Sequence, residues 1–181
     1  MAICNLNNNM KRSSNCGYSL PEIVELYLIN DEDLSGDPAI SSATDGQEVI
    51  TAVTLNASAN TYIVIPNKNS ASFEDTLVVD DNGNKHRHAQ ITFGVPGKYD
   101  EKGHANLDAL SLGKYFVVVK TADGNYLGFG RTARLEAEIA TLAGGSETNG
   151  IQVVLSGDIA ESPLPLGDDA VASVKAAVKA D

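Results

Sequence analysis

Three histidines are the residues of this chain best suited to chemistry. His86 and His88 are separated by one residue in a predicted strand, so both imidazoles lie on the same face, and His104 follows nearby in sequence. Two imidazoles at this spacing can bind one metal ion, but a third ligand must come from elsewhere. Lys85 and Arg87 alternate with the pair and favour a different interpretation, a solvated polar strand end. We therefore predict no metal ligand here.

The two cysteines, Cys4 and Cys16, both lie in a polar N-terminal segment. Three states are open to them: free thiols, a disulfide formed in a mature particle, or a metal site. A zinc site needs about four ligands, and no histidine or second cysteine pair lies near these two in sequence. A cytoplasmic origin favours reduced thiols. A polar arm is also a poor place for a preorganised catalytic thiol.

Acidic residues are numerous, and several stand side by side in predicted loops. With 24 Asp and Glu residues in the chain, such neighbours are expected by chance. Residues 80–84 resemble part of a calcium-binding loop but lack the distal Glu of that motif. The sequence has no Gly-x-Ser-x-Gly motif and no phosphate-cradling glycine loop. The adjacent carboxylates are Asp31, Glu32 and Asp33; Asp80 and Asp81; Asp100 and Glu101.

These patterns predict no catalytic residue, no metal ligand and no cofactor, and a protein that is not an enzyme. The formal charge of −11 argues against a surface that binds nucleic acid or an anionic membrane. An acidic surface can still let DNA slide past without sticking. Because no stretch approaches about 18 consecutive apolar residues and the first residues are polar, we expect neither a transmembrane helix nor a signal peptide.

Alternating apolar and polar residues predict a mostly β protein, an antiparallel sandwich or barrel with one internal helix. Asn82-Gly83 and Asp123-Gly124 favour tight hairpin turns. Residues 131–140 also favour a strand, with a helix as the alternative. The other predicted strands cover residues 21–30, 48–55, 61–66, 70–79, 85–95, 114–121, 125–130 and 150–159.

Helical signals occur in two places. Residues 104–112 carry two leucines at helical spacing, Asn106 as a candidate N-cap, and Gly113 as a stop. Residues 168–180 begin with acidic and end with basic residues, which suits a helix dipole. A helix this short is marginal alone. We therefore expect the second one to be frayed or docked on a neighbouring subunit.

The predicted organisation is an N-terminal arm over residues 1–19, a β domain over 20–162, and a proline-containing linker with a short helical tail over 163–181. In the first strand the aliphatic set Val24, Leu26 and Leu28 should face the core. Other residues predicted to be in the core are Val117, Val119, Val153 and Leu155.

Several segments, taken in order, resemble a known family. They are the arm with Cys4 and Cys16, the strand 24–30, residues 71–76, the helix-to-strand run 107–119, the hairpin 115–130 and the ending 150–157 before a proline-containing tail. In this order and spacing they resemble small virion proteins of tailed bacteriophages, of the tail-tube-like kind found in phages related to the crAss-like group. The resemblance covers roughly residues 4–165.

The resemblance implies a β-sandwich with one helix packed across it, in subunits that join edge to edge into a ring around a DNA-sized channel. It implies a homo-oligomer in the virion that contacts other tail, neck or portal-proximal proteins, with no specific nucleic-acid binding, no membrane contact and no catalytic residues. The short helix, the extra C-terminal helix and the lack of an identifiable stacking loop leave open whether the ring belongs to a tube, a neck or a short tail. Glu25, Glu136 and Glu138 are candidates to face the channel.

Two other classes of function remain at this stage. One is a head decoration or carbohydrate-binding β-sandwich, which would usually cluster exposed aromatic side chains, whereas the Tyr and Phe here are scattered. The other is an enzyme, for which the chain offers no recognisable motif.

Overall fold

The computed structural model describes residues 22–41, 48–95, 101–144 and 150–180, with the backbone alone at 101–103. The predicted arm with Cys4 and Cys16 lies outside these residues, as do Asp100 and the side chain of Glu101.

The chain is mostly β, as predicted. The described elements are β1 Ile23–Asn30, a 3-10 turn Asp31–Asp33, β2 Ala39–Ile40, β3 Ile50–Ala52, β4 Tyr62–Val64, β5 Ser72–Val79, β6 Lys85–Val95, α1 Glu101–Leu112, β7 Lys114–Thr121, β8 Tyr126–Phe129, β9 Leu135–Ala143, β10 Gly150–Ile159, β11 Leu164–Pro165 and α2 Asp168–Ala176.

Nine of the described strands form one antiparallel sheet that does not close into a barrel. Its order is β11-β8-β7-β9-β10-β6-β5, with β1 on the other edge of β7 and β4 beyond β1. We call β1, β4, β7, β8 and β11 the β7 half, and β5, β6, β9 and β10 the β10 half. The start of β7 pairs with β9 at Lys114 and Tyr115, and this pairing joins the halves. β2 and β3 form a separate two-stranded sheet.

Long, strongly patterned strands match their predictions best. β6, β7 and β10 have the predicted bounds, and residues 131–140 give the strand β9, although it begins at Leu135. The predicted strands 48–55 and 61–66 shrink to three residues each, β3 and β4. Between them the chain turns where Asn56 donates from its backbone N–H to Asp33 and Ser58 adopts a positive φ of 66°. The residues between the predicted strands 21–30 and 48–55 include the 3-10 turn and β2.

Both predicted tight turns are present, and each depends on a glycine with positive φ. Gly83 (φ 82°) donates to the Asp80 carbonyl, and the Asp80 carboxylate accepts the backbone N–H groups of Asn82 and Asn84. Gly124 (φ 86°) donates to the Thr121 carbonyl. These left-handed conformations are those that glycine adopts at least cost.

The helix α1 begins at Glu101, three residues before the predicted start, so Asn106 lies inside it and is not its N-cap. Its predicted end is confirmed, because Gly113 follows and donates to the Ala109 carbonyl over 2.9 Å. The Tyr115 hydroxyl donates to the same carbonyl over 2.5 Å, and a side chain at Gly113 would collide with the Tyr115 ring. The two helical leucines, Leu107 and Leu110, pack against the core.

The first hydrophobic core takes side chains from both halves of the sheet, so the halves contact each other. Leu26 and Leu28 are buried in it as predicted, but the prediction for Val24 is wrong. A register shift in the β1–β7 pairing between Ile23 and Glu25 leaves Val24 38% exposed and puts Ile23 in the core instead. The core comprises Ile23, Leu26, Leu28, Ala89, Ile91, Phe93, Tyr115, Val117, Val119, Phe129, Leu135, Ile151, Val153, Leu155 and Ile159, including all four other predicted core residues.

A second core lies on the opposite face of β1 and β7. There α2 packs on the sheet through Ala170 and Val174, both buried. The expectation that this helix is frayed or docked on a neighbouring subunit is therefore wrong, because its buried residues pack against its own chain. The core comprises Tyr27, Ile29, Leu34, Ile50, Val53, Phe116, Val118, Ala170 and Val174.

Candidate functional site

The three histidines do not come together in one site. His88 Nδ1 lies 2.8 Å and His86 Nε2 3.8 Å from the same Asp158 carboxylate oxygen, on the exposed face of the β10 half. His104 lies on α1, where its Nδ1 is 3.3 Å from Asp108. Over the described residues, no group of three His, Cys, Asp or Glu is arranged to hold a metal ion.

Two of the adjacent carboxylates, Asp33 and Asp80, make local structural contacts. Asp33 accepts the Asn30 side-chain amide over 2.6 Å at the 3-10 turn. Asp80 accepts hydrogen bonds from Asn84 through the side chain and the backbone, and from the Asn82 backbone, and these bonds lower its pKa below the ordinary value. Asp33 and Asp80 therefore stabilise the turns in which they lie.

Two arginines in the connection from β8 to β9 tie distant loops to the sheet. Arg131 makes a two-pronged pair with Glu161, with nitrogen–oxygen distances of 2.5 and 2.7 Å. Arg134, whose side chain is only 10% exposed, binds Asp31 at 2.8 Å and Asp37 at 3.0 Å. Bidentate and forked contacts of this kind use the planar guanidinium group. They fix the 31–40 connection and the residues after β10, and sequence reasoning did not identify them.

The three candidate channel carboxylates have different surroundings. Glu25 accepts hydrogen bonds from Lys120 Nζ at 2.7 Å and from the Tyr27 hydroxyl at 2.5 Å. Burial raises the pKa of Glu25, but these hydrogen bonds outweigh burial and hold the pKa below its usual value. Burial and the bond to Glu25 raise the pKa of Tyr27, so its hydroxyl remains a donor. Glu25 is thus neutralised by a partner and largely covered.

Glu136 and Glu138 lie on exposed β9, on the uncovered face of the β10 half. Glu136 pairs with Lys114 at 2.8 Å, and both side chains are well exposed. Glu138 accepts a hydrogen bond from the Gln90 side chain over 3.2 Å. These two carboxylates therefore face solvent, unlike Glu25.

The feature that sequence reasoning missed is the free edge of β5. Among the described residues, β5 pairs with β6 alone along its eight residues. Phe73, Leu77 and Val79 on it are 40%, 53% and 54% exposed. Leu77 and Val79 lie opposite Arg87 and Lys85 near the tip of the hairpin, where β10 ends at Ile159 opposite Arg87. The hairpin therefore projects beyond the shared core and leaves apolar side chains uncovered.

The other end of β5 is anchored. The Phe73 ring packs against Phe129 of β8 with centroids 5.4 Å apart. Beside this contact lies a groove of about 690 Å³, which we call the β5–α2 groove. Residues 71–73 line one side; the turn between β7 and β8, Pro165 of β11 and the start of α2 line the other. Three carboxylates, Glu22, Asp123 and Asp168, border it, and none of the described lining residues is Lys or Arg.

Comparison with known proteins gives no relative: no family model, no curated protein and no solved structure matches this chain. Among the described helices, none is long and apolar enough to span a membrane. Two surfaces of the molecule are the features best suited to a function: the β5 edge and the β5–α2 groove.

Proposed function

We propose that the protein is a structural subunit of a bacteriophage tail or neck, and that copies of it join into a ring around the channel through which the genome passes. The observation that carries the proposal is the β5 edge: on one side of this eight-residue strand, no other described strand pairs with its backbone groups. Such an edge is a template for pairing with another chain, and ring closure is one way to supply a partner to every subunit.

The side chains on β5 support the same reading. Leu77 and Val79 are more than half exposed at the projecting hairpin tip, and contact with a neighbour would remove them from water. A ring needs a second surface that receives the first, because each contact joins two different patches. β4 is the candidate: it pairs with β1, and Tyr62 and Ile63 are exposed on it.

The proposed fold of the subunit is a sandwich of the tail-tube type. In support, one core takes side chains from β1 and β7 on one half and from β6 and β10 on the other. The net charge of −11 suits a channel along which DNA must slide. We assign the channel-facing role to Glu136 and Glu138 rather than to Glu25, because both face solvent, whereas the Glu25 side chain is only 22% exposed.

The proposal is tested by the assembly state of purified full-length protein, measured by sedimentation and by electron microscopy of negatively stained samples. We expect closed rings. Leu77→Lys should shift the protein from rings to monomers, because it places a charge on the contact edge. The matched control is Leu112→Lys at the end of α1, which removes a leucine that is more exposed than Leu77 (87% against 53%) on a helix that packs against β9.

Two outcomes would count against the proposal. One is a protein that stays monomeric in every fraction and is absent from purified virus particles. The other is that Leu77→Lys and Leu112→Lys assemble alike, which would leave the β5 edge without a role in assembly. Saturable binding to a glycan array by the monomer would instead favour a carbohydrate-binding module.

A further inference from the structure

The β5–α2 groove combines a shape and a charge that suit an extended basic segment. It runs between the start of the edge strand β5 and the region where β11 meets α2. Phe73, Leu127 and Val171 contribute apolar surface to it. Three carboxylates border this surface: Glu22, Asp123 in the β7–β8 turn, and Asp168. A ligand of this groove would present apolar side chains together with positive charge, and could hydrogen bond to the edge of β5 that pairs with no other described strand.

The chain itself contains one segment of that chemistry. Residues 1–21 include Lys11 and Arg12 and no Asp or Glu, although the whole chain carries a net charge of −11. The same segment contains Ile3, Leu6 and Leu20 as apolar side chains. The positive charge of the segment is thus opposite in sign to the carboxylates that border the groove.

The position at which this segment joins the described structure is also at the groove. Glu22 lines the groove, and its carboxylate accepts the backbone N–H of Asn69 over 3.3 Å while its carbonyl accepts the N–H of Ala122. Twenty-one extended residues span about 70 Å, so the segment can reach every part of the groove. A tethered ligand has an effective concentration on the order of millimolar, which favours docking within the chain over capture from solution.

We propose that the β5–α2 groove is the docking site of the basic N-terminal segment, residues 1–21, of the same chain. The segment covers the apolar floor of the groove, and Lys11 and Arg12 lie against the carboxylates at its border. The groove overlaps the β5 edge only at Ser72 and Phe73, so docking of the segment leaves residues 74–79 of the edge for contact within the ring.

Disulfide trapping in the full-length protein tests the proposal. In a Cys4→Ser background, Cys16 is the one native thiol, and Ser72→Cys places a second thiol in the groove. The matched control is Thr76→Cys, an exposed hydroxyl on the same strand outside the groove. Under mild oxidation of dilute protein, we expect an intramolecular disulfide to form about tenfold faster with Ser72→Cys than with the control. Peptide mass mapping identifies the bond.

Charge reversal sharpens the test. Lys11→Glu with Arg12→Glu should reduce the trapping rate of Ser72→Cys to that of the control, and adding Glu22→Lys should restore part of it. Equal rates for Ser72→Cys and Thr76→Cys would overturn the proposal, as would trapping that ignores the charge reversal. Disulfides between two chains instead of within one would assign the groove to another copy and overturn docking within the chain. None of these results depends on whether rings form.

Discussion

The two halves of the sheet bury their strands in different ways. In the β7 half, β1 and β7 are covered on both faces: one face joins the shared core, and the other lies under α2 and the β2–β3 sheet. In the β10 half, β6 alternates between buried residues such as Ile91 and Phe93 and more accessible ones such as Gln90 and Thr92. Among the described elements, none packs a second core on that outer face.

This difference is already visible in the amino-acid types. The centre of β7, Phe116 to Val119, is an uninterrupted apolar run, as expected for a strand buried on both faces. β6 carries His86, His88 and Gln90 at every second position, which suits a face in water. The β7 half therefore holds the fold together, whereas the β10 half offers the surfaces open to partners.

The largest expected effect is the loss of a phenylalanine that is fully buried in the second core of the β7 half. Phe116 is completely buried on the face under α2, so Phe116→Ala should lower the free energy of unfolding by about 3–5 kcal/mol. Phe73→Ala on the β10 half should cost about 1 kcal/mol, because that ring is 40% exposed and its main described ring contact is Phe129. Urea unfolding measures both. Equal losses would mean that the two halves are equally covered.

The next effect tests whether α2 is part of the fold. Val174 is buried against the β7 half, so Val174→Asp places a charge in the second core and should cost about 3 kcal/mol. The matched control is Ala172→Asp, which adds the same charge on the exposed side of the same helix. Thermal unfolding measures both variants. A small loss for Val174→Asp, like that of the control, would indicate that α2 leaves the sheet at little cost.

Sequence patterns predicted the strands well where the pattern of apolar residues continues along the whole strand. β7 and β10 are long and strongly patterned, and their bounds were predicted to the residue. The error at Val24 arose because a bulge changes which side chains share a face, and alternation cannot register an inserted residue. The docking of α2 was missed because the apolar side chains through which it packs on its own chain, Ala170 and Val174, would suit a surface on a neighbouring subunit equally well.

The candidate site was less predictable than the fold. That β5 is an edge strand depends on which strands pair. The alternation of apolar and polar residues in a single strand does not identify its pairing partners. One signal was available: Leu77, Val78 and Val79 form an apolar run next to an acidic turn, at the tip of a long hairpin. The β5–α2 groove joins residues 22, 71–73, 123 and 168, which no local pattern connects.

A smaller effect is expected at the contact between Glu25 and Lys120 in the β7 half, and its size should depend on pH. Glu25 and Lys120 are only 22% and 25% exposed, and Glu25→Gln should destabilise the protein by about 1 kcal/mol at neutral pH. The pKa of Glu25 is lowered in the folded state, so its contribution is present above the ordinary value of 4.5 and is lost as the pH falls through the lowered value. The gap between the native protein and Glu25→Gln should therefore close in acid.

Denaturant unfolding over a range of pH measures this gap. Tyr27→Phe is a useful companion, because it removes the hydroxyl that donates to Glu25 without changing the charge. A gap that stays constant or widens in acid would contradict the assigned role of Glu25.

The smallest effect is expected on the outer face of the β10 half. Asp158 accepts contacts from His88 and His86, yet its side chain is 66% exposed, so Asp158→Asn should change the free energy of unfolding by no more than about 0.5 kcal/mol. Solvent screens exposed charges, so the difference should shrink further at high salt. If Asp158→Asn lowered the free energy of unfolding of the unassembled protein by much more, this face would have to be covered, and the contrast between the halves would fail. If the loss appeared only in assembled rings, Asp158 would lie at a contact between subunits, and the assignment of this face to the channel would be wrong.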